Sequence, residues 1–369
     1  MRQKRLLLIF GTRPEAIKLA PIAIQAQAIE PRAEVRICAT GQHNELLKQA
    51  CDVFGLQPHH WLGVMIPNQT LPQLTTRLFE TLPPILAEER PDWVIVQGDT
   101  TSAFVGAMCA FYERIPVAHV EAGLRTADPY APFPEEINRR LISHIAQYHF
   151  APTQQARVNL LQEGISPDRI YVTGNTVVDA VQWVLRQELP ISEQIRSIIA
   201  RRFVLITLHR RENFGAPLRA VLMALRKLAE QHPEVEWVFP VHPNPNVRDV
   251  VRELLDPCAN VQVIEPPDYP SFLTLLKHAT LVITDSGGVQ EEATALGKEL
   301  LITREVTERP EVLETGRAHI VGTNAERLIQ AAQECLARTK VVHPPTSIHQ
   351  NPFGDGHAAR RILEVLLER

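Results

Sequence analysis

The most informative stretch for chemistry is Asp285-Ser286-Gly287-Gly288-Val289-Gln290-Glu291-Glu292. Ser-Gly-Gly at a strand-to-helix turn exposes backbone N–H groups, admits a diphosphate at close range and aims the helix dipole at it. Glu292 then lies one turn into that helix, within reach of a ribose whose phosphates sit at the turn. The competing reading is a glycine helix start with solvated glutamates. A second candidate anion site is Gly11-Thr12-Arg13-Pro14-Glu15 followed by Lys18, which puts two cations on a helix's opening turns. An ordinary strand–helix turn has the same spacing. Neither stretch is a Walker loop or a GxGxxG fingerprint, and both patterns are absent from the chain.

Carboxylates form the second group. Asp99 follows Gly98 at a strand end, where it could serve only as a helix cap. Glu121 ends a buried strand, a place glutamate avoids unless paired. Glu135 and Arg139, and Glu136 and Arg140, are each four apart in Pro134–Arg140, a spacing that also gives two exposed ion pairs worth a few tenths of a kcal/mol each. His209-Arg210-Arg211-Glu212-Asn213 and His242-Pro243-Asn244-Pro245 follow two further strands. No HExxH, CxxC or clustered His/Asp set points to a metal, and no GxSxG elbow points to acyl hydrolysis. The reading therefore calls for no metal and no cofactor.

These residues need elements to hold them. Short apolar runs (Leu6–Phe10, Val35–Ala39, Val94–Gln97, Val117–Val120) alternate with amphipathic stretches, and a second series follows (Phe203–Thr207, Glu236–Val241, Leu281–Thr284, Leu300–Thr303). Such alternation predicts α/β architecture with parallel sheets and helices on both faces. Two series predict two Rossmann-like, doubly wound domains facing a cleft. The expected division is residues 1–189, joined by a C-terminal helix at 355–369, and residues 190–354, with a polar linker at about Leu189–Arg201. Ligands of open parallel sheets sit at the carboxyl ends of the strands, where the candidate residues fall.

Composition narrows the class. The chain has 369 residues, 45% hydrophobic and 22% charged, with a net charge of −4. These are globular values. Arginines come as isolated pairs, which suit a small anion better than nucleic acid. The five cysteines are scattered and imply neither disulfide framework nor zinc knuckle. No apolar run approaches the roughly 18 residues of a membrane span. A cytoplasmic protein without nucleic-acid or membrane partners is expected.

The assembled motifs resemble the bacterial non-hydrolysing UDP-N-acetylglucosamine 2-epimerases over nearly the whole chain. The resemblance rests on FGTRPEAIKLAP (Phe10–Pro21), GDTTSA (Gly98–Ala103), HVEAGLRT (His119–Thr126), PEEINR (Pro134–Arg139) and TGNTVVDA (Thr173–Ala180). It continues through HRREN (His209–Asn213), PVHPNP (Pro240–Pro245), TDSGGVQEEA (Thr284–Ala293) and TERPE (Thr307–Glu311). The ordered set is far more specific than any one motif.

The resemblance implies a glycosyltransferase-B type fold, usually a homodimer, and interconversion of UDP-N-acetylglucosamine and UDP-N-acetylmannosamine. UDP is eliminated to leave 2-acetamidoglucal, then added back with C2 inverted. Carried over by motif, Asp99, Glu121 and Glu135 are the carboxylates near C1–C2, with base and acid unassigned, and His209 lies near the diphosphate. Arg13, Lys18, Arg139, Ser286, Gly287 and Gly288 match sugar-diphosphate contacts, Glu292 the ribose contact and Arg309 another substrate contact. Gln42, His43, Glu136, Arg210 and His242 match parts of an activating second site found in several relatives. Asn68 stands in the region where some relatives place an arginine for that site, which argues against activation here. Alternatives on the same fold are a related UDP-sugar substrate, a hydrolysing epimerase and a glycosyltransferase; a non-enzymatic nucleotide-sugar sensor is a fourth.

Overall fold

A computed structural model describes residues 3–29, 32–41, 44–210, 213–241, 244–338 and 351–368. The chain divides into two compact units, one of Met1–Val184 with Phe353–Arg369, the other of Leu185–Pro352.

In the first unit the order is β1 (Lys4–Phe10), α1 (Arg13–Gln27), β2 (Ala33–Ala39), α2 (Asn44–Val53), β3 (His60–Trp61), α3 (Leu71–Glu89), β4 (Trp93–Gln97) and α4 (Thr101–Tyr112). Then come β5 (Val117–Val120), α5 (Glu135–Ile145), β6 (Tyr148–Ala151), α6 (Gln154–Gln162), β7 (Ile170–Val172) and α7 (Thr176–Arg186). The strands form one parallel sheet in the order β3-β2-β1-β4-β5-β6-β7. Leu8 pairs with Ile37 on one side and Ile95 on the other. Residues buried on both faces of a sheet read as continuous apolar runs, which is why Leu6–Phe10 and Val94–Gln97 were legible; both runs are buried, and the second strand begins one residue earlier, at Trp93.

The second unit holds α8 (Glu193–Ile199), β8 (Phe203–Thr207), α9 (Ala216–Gln231), β9 (Glu236–Pro240), α10 (Pro245–Leu255), β10 (Val261–Ile264) and α11 (Tyr269–His278). It continues with β11 (Leu281–Thr284), α12 (Gly287–Ala295), β12 (Leu300–Ile302), α13 (Glu311–Glu314), β13 (Ala318–Ile320) and α14 (Ala325–Arg338). Its parallel sheet runs β10-β9-β8-β11-β12-β13. Val204, Ile206, Trp237, Phe239, Leu281 and Ile283 form its core with α9, α10 and α14.

Strand order reverses between β1 and β4 in the first sheet and between β8 and β11 in the second. Such switch points open a crevice beyond the carboxyl ends of the strands. Gly11–Arg13 and Gly98–Asp99 flank the first; His209 and Asp285–Gly288 flank the second.

The structure departs from the sequence-based elements in places. Helix α3 has no counterpart among the elements read from the sequence, and it contains Pro83 and Pro84, which ordinarily break a helix interior. It forms nonetheless, burying Leu74, Leu78, Leu82 and Leu86 along one i, i+4 stripe, with Thr70 capping it by accepting from Gln73 N. The expected polar linker carries α8, capped by Ser192 through Ile195 N at 3.3 Å.

The final helix, α15 (Ala358–Glu368), returns to the first unit and packs on α1. Its docking explains the Thr173–Ala180 motif. Asn175 N donates to Phe353 O at 2.8 Å. Gly174 (φ 90°) crosses Phe353–Gly354 so closely that a Cβ there would meet Phe353 O at 3.0 Å. Asp179 on α7 accepts from Ala358 N and Ala359 N at 3.2 and 3.0 Å, capping α15 from a distant element. Burial pushes the Asp179 carboxyl up to about 6 despite those donors.

Candidate active site

Around the first switch point, one carboxylate ties two turns together. Glu15, 1% exposed, accepts from Gly11 N (3.1 Å), Thr12 N (2.8 Å), Thr12 Oγ1 (2.7 Å) and, across the switch point, Thr100 Oγ1 (2.8 Å). The turn carrying Arg13 is thus fastened to the turn carrying Asp99. Burial pushes the Glu15 carboxyl up to about 7, against the four hydrogen bonds. Half-buried Arg13 opens α1, with Lys18 further along it.

Lys18 Nζ forms an ion pair with Glu121, both almost wholly buried. Gln97 Nε2, from the end of β4, donates to the same Glu121 oxygen at 2.8 Å. Glu121 itself has φ 63°. A non-glycine residue there costs of order 1–3 kcal/mol and persists only where its surroundings over-determine it. Three elements therefore converge on this carboxylate at a strand end.

Asp99 is not the helix cap that its position allowed. Thr100 takes that role, accepting from Ala103 N at 3.0 Å, which leaves the Asp99 side chain for Arg139 Nε, 3.4 Å away. The preceding turn is pinned by two side chains. His119 Nε2–H donates to Gly98 O at 2.7 Å, and Asn138 Nδ2 donates to Asp99 O at 2.9 Å. Burial drives the His119 pKa down to about 3, so the ring is neutral and serves as a fixed donor.

Helix α5 supplies the remaining first-unit candidates. Glu135 is half-buried at its start. Glu136, fully buried, lies 3.2 Å from Arg139 Nε, bonds Arg140 Nε at 2.7 Å and accepts from Thr126 N at 3.1 Å. Arg139 is 4% exposed and so belongs to a buried network rather than to a solvated pair.

At the second switch point Asp285, 1% exposed, is the organiser. Its carboxylate accepts from His209 N (3.1 Å), Arg210 N (3.0 Å) and Asn213 Nδ2 (3.2 Å), and lies 3.3 Å from His209 Nδ1. Burial alone would raise the Asp285 carboxyl; His209 and the backbone donors more than offset it and hold it below the usual range. The loop bearing His209 and Arg210 is thereby hung on the Ser286 turn. Ser286 precedes α12, and its N–H is held by Thr284 Oγ1 at 2.9 Å. A Cβ on Gly287 would meet Arg309 Nη1 at 2.6 Å, whereas one on Gly288 would meet nothing within 4 Å. Gly287 is thus glycine to admit Arg309, and Gly288 leaves open space. Arg309 is anchored by Glu291 and by Glu308 at 3.4 Å. Glu292, 7% exposed, accepts from Tyr269 OH at 2.9 Å.

Within the first unit the structure brings Lys18 to Glu121 and Arg139 to Asp99 and Glu136. In the second it brings together Ser286, Gly287 and Arg309, and places His209 and Arg210 on Asp285. Gln42, His43 and His242 lie outside the described residues. Sequence reasoning missed Glu15, Gln97, His119, Asn138 and Asp285 as determinants of geometry. Glu15, His119, Asn138 and Asp285 sit within the quoted motifs and Gln97 ends the strand run Val94–Gln97, which was the available signal.

Two doubly wound α/β units, each a parallel sheet with a strand-order switch point, are the architecture of the glycosyltransferase-B type. A family model described as UDP-N-acetylglucosamine 2-epimerase matches residues 25–367. The Yersinia pestis UDP-N-acetylglucosamine 2-epimerase is 46% identical over 371 residues, covering 98% of each chain. Among solved structures, the Neisseria meningitidis UDP-GlcNAc 2-epimerase bound to UDP-GlcNAc superposes with a TM-score of 0.90 at 38% identity, covering 99% of this chain and 100% of the other. The Methanocaldococcus jannaschii UDP-GlcNAc 2-epimerase in complex with UDP-GlcNAc and UDP gives 0.84 at 36%, with the same coverage. The chain belongs to the UDP-N-acetylglucosamine 2-epimerase family, whose members are isomerases.

Proposed function

We propose that the protein interconverts UDP-N-acetylglucosamine and UDP-N-acetylmannosamine by eliminating UDP and adding it back, as a homodimer in the cytoplasm, supplying N-acetylmannosamine-derived precursors of surface polysaccharide. The C2 hydrogen is not next to a carbonyl, so direct deprotonation is difficult. Elimination avoids this: a carboxylate takes the C2 proton, the C1=C2 bond forms, and the C1–O bond breaks to release UDP. Re-addition of the β-phosphate oxygen at C1, with a proton returned to the opposite face of C2, completes the inversion.

Each step has a physical demand that these residues meet. Developing diphosphate charge calls for cations and oriented N–H groups; Arg13, Lys18, Arg139, Arg309 and the Ser286-Gly287-Gly288 turn supply them. His209 acts beside the diphosphate and Glu292 on the ribose. Positive character at C1 and the moving proton call for carboxylates; these are Asp99, Glu121 and Glu135. Glu136, Arg210, Gln42, His43 and His242 match parts of a second UDP-sugar contact, but Asn68, standing where some relatives have an arginine, argues against activation through it. The observation that carries the reading is Glu121: a buried carboxylate in left-handed backbone, fixed by Lys18 and Gln97 at a strand end.

The test is exchange. In deuterated water with UDP-N-acetylglucosamine, deuterium is expected at C2 of both epimers. Unlabelled recovered substrate, or free sugar as the sole product, refutes the proposal.

A further inference from the structure

The second unit carries a cluster that the epimerase reading does not use. Side chains of a strand alternate between the sheet's faces. Leu301 on β12 and Val321, just past β13, are both in the core beneath α14. Glu299 is two residues from Leu301, and His319 is two from Val321, so both belong to that face. Helix α14 brings Cys335 down onto it. One donor atom each from Glu299, His319 and Cys335 lies within 4.8 Å of the others. Sequence spacing concealed the group, because its members come from three separate elements.

The donor set and distances suit a metal. Cys335 Sγ is 3.8 Å from Glu299 Oε2. Two such ligands on a tetrahedral zinc ion, with Zn–S about 2.3 Å and Zn–O about 2.1 Å, stand about 3.6 Å apart. His319 Nε2 is buried and hydrogen-bonds to none of the described residues. A cavity of about 220 Å³ lined by His319, Glu334, Cys335 and Arg338 gives a route in from the surface.

The cluster already attracts positive charge. Arg338 Nη2 lies 3.2 Å from Glu299 Oε2 and 3.3 Å from Cys335 Sγ. The Arg338 side chain is 53% exposed, so it can withdraw into solvent. Arg317 is 4.0 Å from the other Glu299 oxygen and remains as a neighbour.

We infer that Glu299, His319 and Cys335 form a site for one zinc-like divalent cation, with Arg338 as its displaceable occupant and water as the fourth ligand. Binding replaces the thiol proton by the metal, so one proton is released per ion and affinity rises with pH. The inference is independent of the proposed reaction, since its readouts do not involve turnover.

The test uses full-length, tag-free, reduced protein titrated with Co²⁺ and followed by absorption. One equivalent is expected to bind with a thiolate-to-cobalt charge-transfer band, and Zn²⁺ is expected to displace it. Cys335→Ser should abolish the band. His319→Gln should weaken binding about tenfold or more, and it keeps the test valid if the cysteine variant misfolds. Arg338→Gln, which removes the competing cation, should tighten binding several-fold. Absence of a charge-transfer band, its persistence in folded Cys335→Ser, or unchanged affinity in His319→Gln overturns the inference.

Discussion

Replacing Lys18 by methionine tests whether Glu121 is a carboxylate held in place by a buried cation. Met fills a similar volume, so the change is mainly electrostatic. Removing one partner of a buried pair typically costs about 3–5 kcal/mol. The cost has a ceiling, because a stranded carboxylate can take a proton instead. For an ordinary glutamate, with pKa about 4.3, protonation at pH 7 costs about 3.7 kcal/mol, and at pH 5 only about 1 kcal/mol. Hydrogen bonding from Gln97 lowers the penalty somewhat in either state. Lys18→Met should therefore lose about 3–4 kcal/mol at pH 7 and about 1 kcal/mol at pH 5. The sign follows from linkage: the variant's folded state binds more protons than its unfolded state, so its stability relative to the parent rises as pH falls. Urea unfolding followed by tryptophan fluorescence measures this, since Trp61, Trp93 and Trp183 lie in the first unit and Trp237 alone in the second. The double variant with Glu121→Gln should recover much of the stability at pH 7 without recovering turnover. Equal losses at both pH values would refute the reasoning.

Three further outcomes are expected. Glu15→Gln should flatten part of the stability–pH curve: burial pushes the parent carboxyl up to about 7 when folded, against an ordinary 4.5, so its contribution is fully present below 4.5 and disappears as pH rises through 7, and urea midpoints across that window check it. Asp179→Ala should destabilise the first unit by about 1–2 kcal/mol through the lost cap on α15, while Asp179→Asn, which can still accept, should cost well under half of that. Gly287→Ala and Gly288→Ala should both weaken UDP binding about tenfold or more in calorimetry, but only the former should also lower the thermal midpoint, because it alone meets Arg309.

The strands were legible because runs such as Leu6–Phe10 and Leu281–Ile283 are apolar and end within two residues at glycine or aspartate. Candidates such as Arg13, Asp99 and Ser286 were legible for the same reason, since they follow such stops at Gly11, Gly98 and Asp285. Partner choice was not. Lys18 meets Glu121 across 103 positions, and Thr100 meets Glu15 across 85. Only the sheet order brings them together, and no local pattern encodes it. Asp99 is the sharpest case: its spacing fits a cap, yet Thr100, one residue on, has both the extended backbone (φ −66°, ψ 161°) and the hydroxyl for that role. Helix α3 carries Pro83-Pro84, whose cost is offset by the burial of Leu74, Leu78, Leu82 and Leu86.

The return of α15 has a consequence for synthesis. The first unit is closed by residues made only after the whole of 185–352 has been translated. At about 5–20 residues per second, that interval is roughly 10–30 s. Until it ends, the face of α1 on which α15 packs lacks that cover, and the buried residues of α15, Ile362, Leu363 and Leu366 among them, are not yet made. A ribosome that stalls before Ala358 would therefore release a polypeptide whose defect lies in its oldest part, and chaperones would meet it there.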